Sequence, residues 1–406
     1  MVTTFYPPYN FGGDGMFIYR LSNALAGQGH EVEVIHCVDA YEMQANGPPS
    51  GDYPHHPNVT VHSLKSKGGM LSPLVTQQTG HPGLKNPRLR QLIEDGNFDV
   101  INFHNTSLIG LKALTYGSGI KLYTMHEHWL VCPMHVLWKF DREACTQKQC
   151  ISCTIKGKRP PQLWRYTGFM DSMLDNIDAF IAVSEFSKQK HLEFGLNVKA
   201  PIEVIPYFVP LPEVDEVPQT EAPPHPRPYF LFVGRLEKLK GVQNLIETFR
   251  RYDKADLLIA GDGSYETELR SQAQGLDHVK FLGRVQYQEL QRLYRHAIAQ
   301  VFSSIGYETL GIVLLEAFLQ NTPVIVNDLG APPEIVEQSG GGLIYENEAG
   351  LIEAMELLRN DPNLRTTLGE RGREAYYRYW TPEAYMPKYF GLINGIAAKR
   401  NLKVSG

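Results

Sequence analysis

The sequence predicts an α/β protein of two doubly wound parallel-sheet domains. Three observations predict it. The 406-residue chain exceeds one ordinary core, short β-rich runs alternate with amphipathic stretches, and a proline-dense segment interrupts the alternation before it restarts. Residues 206–228 hold eight prolines with acidic residues between them. Proline sustains neither a ladder nor a helix interior, so 208–228 reads as a linker.

In the first domain, residues 1–207, the strands are Val2–Phe5, Glu31–Cys37, Val59–His62, Val100–Phe103, Lys121–Met125, Phe180–Val183 and Glu203–Ile205. Between them Met16–Ala26 sets Phe17, Leu21, Ala24 and Leu25 on one side of a helix and stops at Gly27 and Gly29. Asp171–Asn176 is a second helical stretch. A buried first strand ought to be longer than Val2–Phe5, which leaves a short strand or an upstream start as the two readings.

The second domain, 229–380, repeats the pattern with Tyr229–Val233, Asp256–Ala260, Val279–Phe281, Ala299–Ser303 and Pro323–Val326. Two such units joined by a connector make a cleft, and ligands favour the carboxyl ends of parallel strands. The segment 381–406 carries a last amphipathic stretch, Pro382–Ala398, able to pack back on the first domain.

Composition narrows the function. Hydrophobic residues make up 43% and charged residues 20%, which is ordinary globular usage, and a net charge of −5 opposes a nucleic-acid coat. No apolar run reaches the roughly 18 residues of a membrane span, and the start lacks a signal segment. A cytoplasmic location is expected, with peripheral contact at the inner membrane face as its extension.

The ligand-binding pattern is densest in the second domain. Gly234-Arg235-Leu236 follows its first strand and Lys240-Gly241 opens the next helix, so two cations lie beside a helix N-terminus, as a diphosphate cradle requires. Solvated loop cations are the plainer alternative. Gly261-Asp262-Gly263 reads as a tight turn. In Glu308-Thr309-Leu310-Gly311-Ile312-Val313-Leu314-Leu315-Glu316 the apolar run buries a helix that carries Glu316. A carboxylate there needs hydrogen-bond donors, which a ribose diol supplies. Gly311 lets backbone amides approach phosphate oxygens, and Glu308 sits where the helix begins. Against this stands a helix-dipole partner at Glu308 and an ion pair at Glu316.

These residues, with Ala317, Thr322-Pro323-Val324-Ile325 and Gly330 followed by Glu334-Ile335-Val336, resemble the donor domain of retaining GT-B glycosyltransferases, more narrowly glycosyltransferase family 4. The resemblance covers most of 229–345. It implies the GT-B fold, two Rossmann-like domains facing across a cleft, and a hexosyltransferase moving sugar from a nucleotide-diphosphate sugar to a glycan or lipid-linked acceptor, as in cell-surface polysaccharide synthesis. It implies base contacts near Gly283, Arg284 and Val285, and a glycine turn at Gly12-Gly13 against donor phosphate or acceptor. Thr124-Met125-His126-Glu127 resembles the strand-end histidine that faces the donor sugar, with Glu127 where aspartate is commoner; His104 ends the preceding strand. His126, Arg235, Lys240 and Glu308 are then the catalytic set, and Thr309, Leu310, Gly311 and Glu316 complete the donor contacts. Retention with the departing phosphate as base is implied, and no Asp-x-Asp metal site is evident, so transfer without a metal is expected. No third glycine follows Gly13-x-Gly15 or Gly261-x-Gly263 at dinucleotide spacing, which opposes a nicotinamide enzyme.

Cys132, Cys145, Cys150 and Cys153, spaced C-x12-C-x4-C-x2-C in a chain with five cysteines, predict a structural metal site within an insertion at 129–161, zinc first and an iron–sulfur cluster second. The following Lys156, Lys158, Arg159, Trp164 and Tyr166 suit a lipid interface or, equally, an exposed loop anchored by Trp164. Two other readings stay open: an epimerase or hydrolase of sugar nucleotides, which makes product without acceptor, and a silent metal-binding scaffold, which has no use for the cations and glutamates together.

Overall fold

A computed structural model describes residues 1–45, 47–49, 51–211 and 222–401. Residues 212–221, within the expected linker 208–228, lie outside the described residues. The strands are β1 Val32–Cys37, β2 Val59–Leu64, β3 Val100–Phe103, β4 Ile120–Met125, β5 Trp138–Lys139, β6 Glu143–Ala144, β7 Ala179–Ala182, β8 Ile202–Val204, β9 Tyr229–Val233, β10 Asp256–Ala260, β11 Val279–Gly283, β12 Gln300–Phe302, β13 Val324–Asn327 and β14 Gly342–Tyr345.

The chain divides into two compact units. Met1–His135, Gln147–Tyr207 and Tyr385–Gly406 form the first; Val136–Thr146 and Phe208–Ala384 form the second. In the first unit β1 pairs with β2, and β3, β4, β7 and β8 run side by side, all parallel. Met1–Thr4 joins these ladders: the Val2 amide donates to the Asn102 carbonyl at 2.9 Å and the Thr3 amide to that of Ile35 at 3.0 Å. The expected strand Val2–Phe5 is therefore reduced to one bridging residue, Val2, before the chain turns. The helix Gly13–Gly27 covers the sheet with Phe17, Ile18, Leu21 and Leu25 buried, which its 3.6-residue spacing requires. The helix Pro382–Arg400 gives the first unit Tyr389, whose hydroxyl accepts from Asn102 Nδ2 at 3.3 Å, and Arg400, paired with Asp178 at 3.0 Å.

The second unit holds one parallel sheet in the order β11-β10-β9-β12-β13-β14. Its middle strands are almost wholly apolar because helices cover both faces. Consecutive strands run outward from β9 to one edge and from β12 to the other, so the order reverses between β9 and β12. β14 and the β5–β6 hairpin were absent from the sequence reading. The hairpin also corrects the insertion at 129–161, because its residues belong with the second unit: Lys238 Nζ donates to the Asp141 carbonyl at 2.9 Å, and Trp138 is buried. Phe208 and Val209, assigned to the linker, are fully buried; the Val209 amide donates to the Trp380 carbonyl at 3.0 Å. Among the described residues no helix is long and apolar enough to cross a membrane.

Candidate functional site

At the carboxyl end of the second sheet, the loops after β9 and β12 are laced across the reversal point. The Ile305 amide donates to the Leu239 carbonyl at 2.8 Å, and Ser303 Oγ to the Lys240 carbonyl at 2.9 Å. Gly241 makes this closeness possible: it has φ +73°, and a Cβ there would lie 1.9 Å from the Ser303 carbonyl oxygen. The lacing brings Lys240 to Glu308, with Nζ donating to Oε1 at 2.7 Å and Ser304 Oγ donating to the same oxygen at 2.8 Å. Burial pushes the Glu308 carboxyl up, but the Lys240 charge, hydrogen bonds from Lys240 and Ser304, and Arg235 together hold it below the usual range.

Sequence reasoning assigned Lys240 to phosphate and Glu308 to a sugar hydroxyl, and the structure pairs them with each other. Arg235 lies close enough to act on the Glu308 charge, and its guanidinium also holds Glu237 at 2.7 Å. Gly330 carries φ +84°, a Cβ there would meet the Glu308 amide at 2.9 Å, and the Ala331 amide donates to the Glu308 carbonyl at 3.0 Å. The loop after β13 thus braces the Glu308 backbone. Gly311 ends the loop after β12 at φ +102° and caps the helix Ile312–Leu319, whose first amides have no intrahelical partner. Thr309 and half-buried Glu316 flank it, Leu310 is buried, and the Glu316 charge reaches the buried Tyr294 phenol. Ser303, Ser304 and Asn327, which donates to the Ser304 carbonyl at 3.0 Å, were not picked out from sequence. Two hydroxyls directly after a buried strand were the available signal.

The loops after β10 and β11 sit alongside. A Cβ on Gly261 would lie 1.9 Å from the Gly234 carbonyl oxygen, so Gly261-Asp262-Gly263 is a packing turn, as read. The Gly261 amide donates to Gly283, and Arg284 Nε binds Asp262 Oδ2 at 2.7 Å. Val285 follows Arg284 on this surface.

In the first unit, His104 and His126 follow the paired strands β3 and β4. His104 Nδ1 and His126 Nε2 share a hydrogen bond at 2.8 Å, and His126 Nδ1 bonds the Tyr207 hydroxyl. Burial pushes His126 down to about 4, opposed by Asp14, and holds His104 well below its usual value. Both rings are therefore neutral at physiological pH. Both ring nitrogens of His126, expected from the resemblance to face the donor sugar, are thus engaged within the protein by His104 and Tyr207. Glu127 pairs with His135 at 2.8 Å. Tyr207 and Asp14 escaped sequence reasoning, and only the acid in Gly12-Gly13-Asp14 gave any sign.

Gly12 has φ −170°, and a Cβ there would meet nothing nearer than Asp14 Oδ1 at 3.6 Å. The fold itself would tolerate a side chain at this position. With Gly13 it opens the helix Gly13–Gly27, and no side chain caps the helix amides.

None of Cys132, Cys145, Cys150 and Cys153 forms a disulfide. Cys145 belongs to the second unit; Cys132, Cys150 and Cys153 belong to the first. Among the described residues no group of three or more His, Cys, Asp or Glu side chains is placed to hold a metal ion.

Residues 11–213 match the family model described as Glycosyltransferase Family 4, and residues 213–375 match that of Glycosyl transferases group 1. A phosphatidyl-myo-inositol mannosyltransferase of Mycobacterium leprae is 28% identical over 391 residues, covering 92% of this chain and 91% of that one. A glycogen synthase of Mycobacterium tuberculosis is 27% identical over 381 residues, covering 89% and 86%. Among solved structures, a sucrose-phosphate synthase of Thermosynechococcus elongatus superposes with a TM-score of 0.73 at 20% identity over 98% of both chains.

Proposed function

Because the chain belongs to glycosyltransferase family 4, a family of retaining enzymes on the GT-B fold, we propose that the Lys240–Glu308 pair and Arg235 form the diphosphate end of its donor site. The chain is a hexosyltransferase that uses a nucleotide-sugar donor and a glycan or lipid-linked acceptor. The carrying observation is the pair's position at the reversal between β9 and β12, where open parallel sheets bind their ligands.

In the reaction the bond from the anomeric carbon to the β-phosphate oxygen breaks, and its electron pair leaves with the nucleoside diphosphate. The acceptor oxygen bonds the anomeric carbon on the same face, and its proton passes to the departing phosphate. Charge therefore grows on the β-phosphate. Lys240 has three ammonium protons, one of them on Glu308, so two remain for phosphate oxygens. Arg235 and the first amides of Ile312–Leu319 add to that field. Glu308 fixes Lys240 and offers its other oxygen to a sugar hydroxyl, and Glu316 holds the ribose. Gly283, Arg284 and Val285 line the base, and in the first unit Gly12 leaves its own backbone clear, with nothing nearer than 3.6 Å to an added Cβ. His126 acts as a positioning residue held by His104 and Tyr207. Thermal-shift measurements with UDP, GDP and ADP test the site: one should stabilise the wild type and fail to stabilise Lys240→Ala, and stabilisation of the variant by the same amount would sink the assignment.

Similarity to a lipid mannosyltransferase at 28% identity and to a glycogen synthase at 27% supports an acceptor that is a lipid-linked sugar or a glycan. The sugar-nucleotide epimerase reading is tested by incubation without acceptor, where rapid epimerised product would favour it.

We further propose a structural metal, zinc before iron–sulfur, at the first-unit thiols Cys132, Cys150 and Cys153. Support comes from the buried Arg165 guanidinium, which both Cys132 and Cys150 act on, and from Cys150 acting with Cys153 one helical turn apart. Cys132 and Cys150 are thereby drawn to one place around Arg165, as ligands of a shared metal must be. Elemental analysis of protein made with both metals available decides it, and a metal-free result ends the idea.

A further inference from the structure

The helix Leu71–Thr79 is built inside out. Ser72 and Thr76 are buried, with Lys85 Nζ donating to Thr76 Oγ1 at 2.7 Å, while Leu71, Leu74 and Val75 face outward. A helix facing water does the reverse. Met70 and Leu84 extend the outer row: a Cβ on Gly68 would touch Leu84, and one on Gly83 would lie 3.5 Å from Val75. Leu71 is 66% exposed, Leu84 60% and Met70 59%. The row continues into a second segment, because Trp164 Nε1 donates to the Gln77 carbonyl at 2.9 Å and Gln78 reaches the Pro160 carbonyl at 3.4 Å. There Ile155, Leu163 and Tyr166 are each more than 60% exposed.

Charge selects the partner. No Asp or Glu occurs from Lys65 to Arg90 or from Gln147 to Met170, although the chain as a whole carries −5. The two stretches hold Lys67, Lys156, Lys158 and Arg159 on the surface beside the apolar row. Lys65, in the first stretch, is paired with Glu42 at 2.6 Å. Apolar side chains edged by cations, with the neighbouring Glu42 and Asp39 carboxylates already bonded within the protein, match the boundary of an anionic bilayer, where acyl chains lie beneath phosphate headgroups.

We infer that this face of the first unit, centred on Leu71, Leu74 and Leu84 and edged by Lys67, Lys156, Lys158 and Arg159, docks the enzyme on an anionic lipid bilayer. The inference rests on the lipid-linked form of the acceptor, since a docked enzyme meets such an acceptor in two dimensions. The rim cations attract the headgroups and the outward leucines enter the acyl boundary.

Co-sedimentation of the full chain with phosphatidylcholine vesicles, with and without phosphatidylglycerol, tests it. Binding is expected only with phosphatidylglycerol, weakening as salt rises. The triple variant Leu71→Ser, Leu74→Ser, Leu84→Ser and the variant Lys67→Glu, Lys156→Glu, Lys158→Glu should each lose at least about tenfold in partitioning. Circular dichroism and stabilisation by nucleoside diphosphate should stay unchanged. Equal binding to both vesicles, no binding to either, or full binding by both variants overturns the proposal; concentration-dependent dimers lost in the leucine variant, without vesicle binding, would assign the face to a second copy. Nucleotide stabilisation is read in the same preparations, so a failure of docking is separable from a failure of the donor site.

Discussion

Lys240 Nζ donates to Glu308 Oε1 at 2.7 Å across the reversal of the second sheet, joining side chains 68 positions apart in sequence. The lysine side chain is 20% exposed and the glutamate 16%, so the pair is screened from most of the solvent yet open on one side. Such a pair fixes a cation where charge will develop, before any ligand arrives. Lys240→Ala should lower kcat by about 10²- to 10³-fold, as loss of one charge-stabilising donor does. Because the remaining carboxylate keeps Ser304, the cost in stability should be about 1–2 kcal/mol. Steady-state kinetics and urea unfolding measure both, and near-wild-type turnover would remove Lys240 from the reaction.

The same pair carries a pH signature. The folded Glu308 carboxyl titrates below its usual value of 4.5, so its contribution is present above that value and is lost as pH falls through the folded value. Glu308→Gln removes the titrating group. The difference in unfolding free energy between wild type and this variant should be flat from neutral pH down to about pH 5 and shrink below it. A difference that grew with acid would show that the carboxyl is not held in its charged form.

Why the pair escaped sequence reasoning is physical. Gly234-Arg235, Lys240-Gly241 and the glutamate run were legible as separate pieces because each sits at a strand end marked by glycine. β9 and β10 were legible residue for residue, being apolar runs closed by such glycines. Which loops meet depends on strand order, and no local pattern encodes that β12 lies beside β9. β14 was missed because only Tyr345 of its four residues is buried. The β5–β6 hairpin was missed because two-residue strands have no period to detect. His126 was found as a strand-end histidine, but its ties to His104 and Tyr207 span 22 and 81 positions.

Those ties make a second pH prediction. Burial lowers His126 from 6.5 to about 4, so the unfolded chain takes up the proton first as the solution is acidified. Stability is therefore held above pH 6.5 and eroded down to about pH 4, with His104 adding in the same direction. NMR titration should find both imidazoles neutral at about pH 6. Tyr207→Phe leaves one His126 nitrogen without its partner and should reduce stability by about 1–3 kcal/mol. An imidazole that titrates near its usual value would show that the ring is open to solvent.

Two glycines separate structural need from ligand need. At Gly241 an added Cβ would meet the Ser303 carbonyl oxygen at 1.9 Å on a backbone with φ +73°, so Gly241→Ala must push the β9 and β12 loops apart. That variant should lose about 1–3 kcal/mol of stability together with activity. At Gly12 the backbone is extended and the nearest atom lies 3.6 Å from the added carbon, so Gly12→Ala should unfold at the wild-type denaturant midpoint. If a ligand approaches that backbone, the methyl group stands in its path and KM for donor or acceptor should rise by about tenfold or more. Wild-type kinetics in a stably folded Gly12→Ala would mean that nothing binds there, and would leave the uncapped amides of Gly13–Gly27 to water.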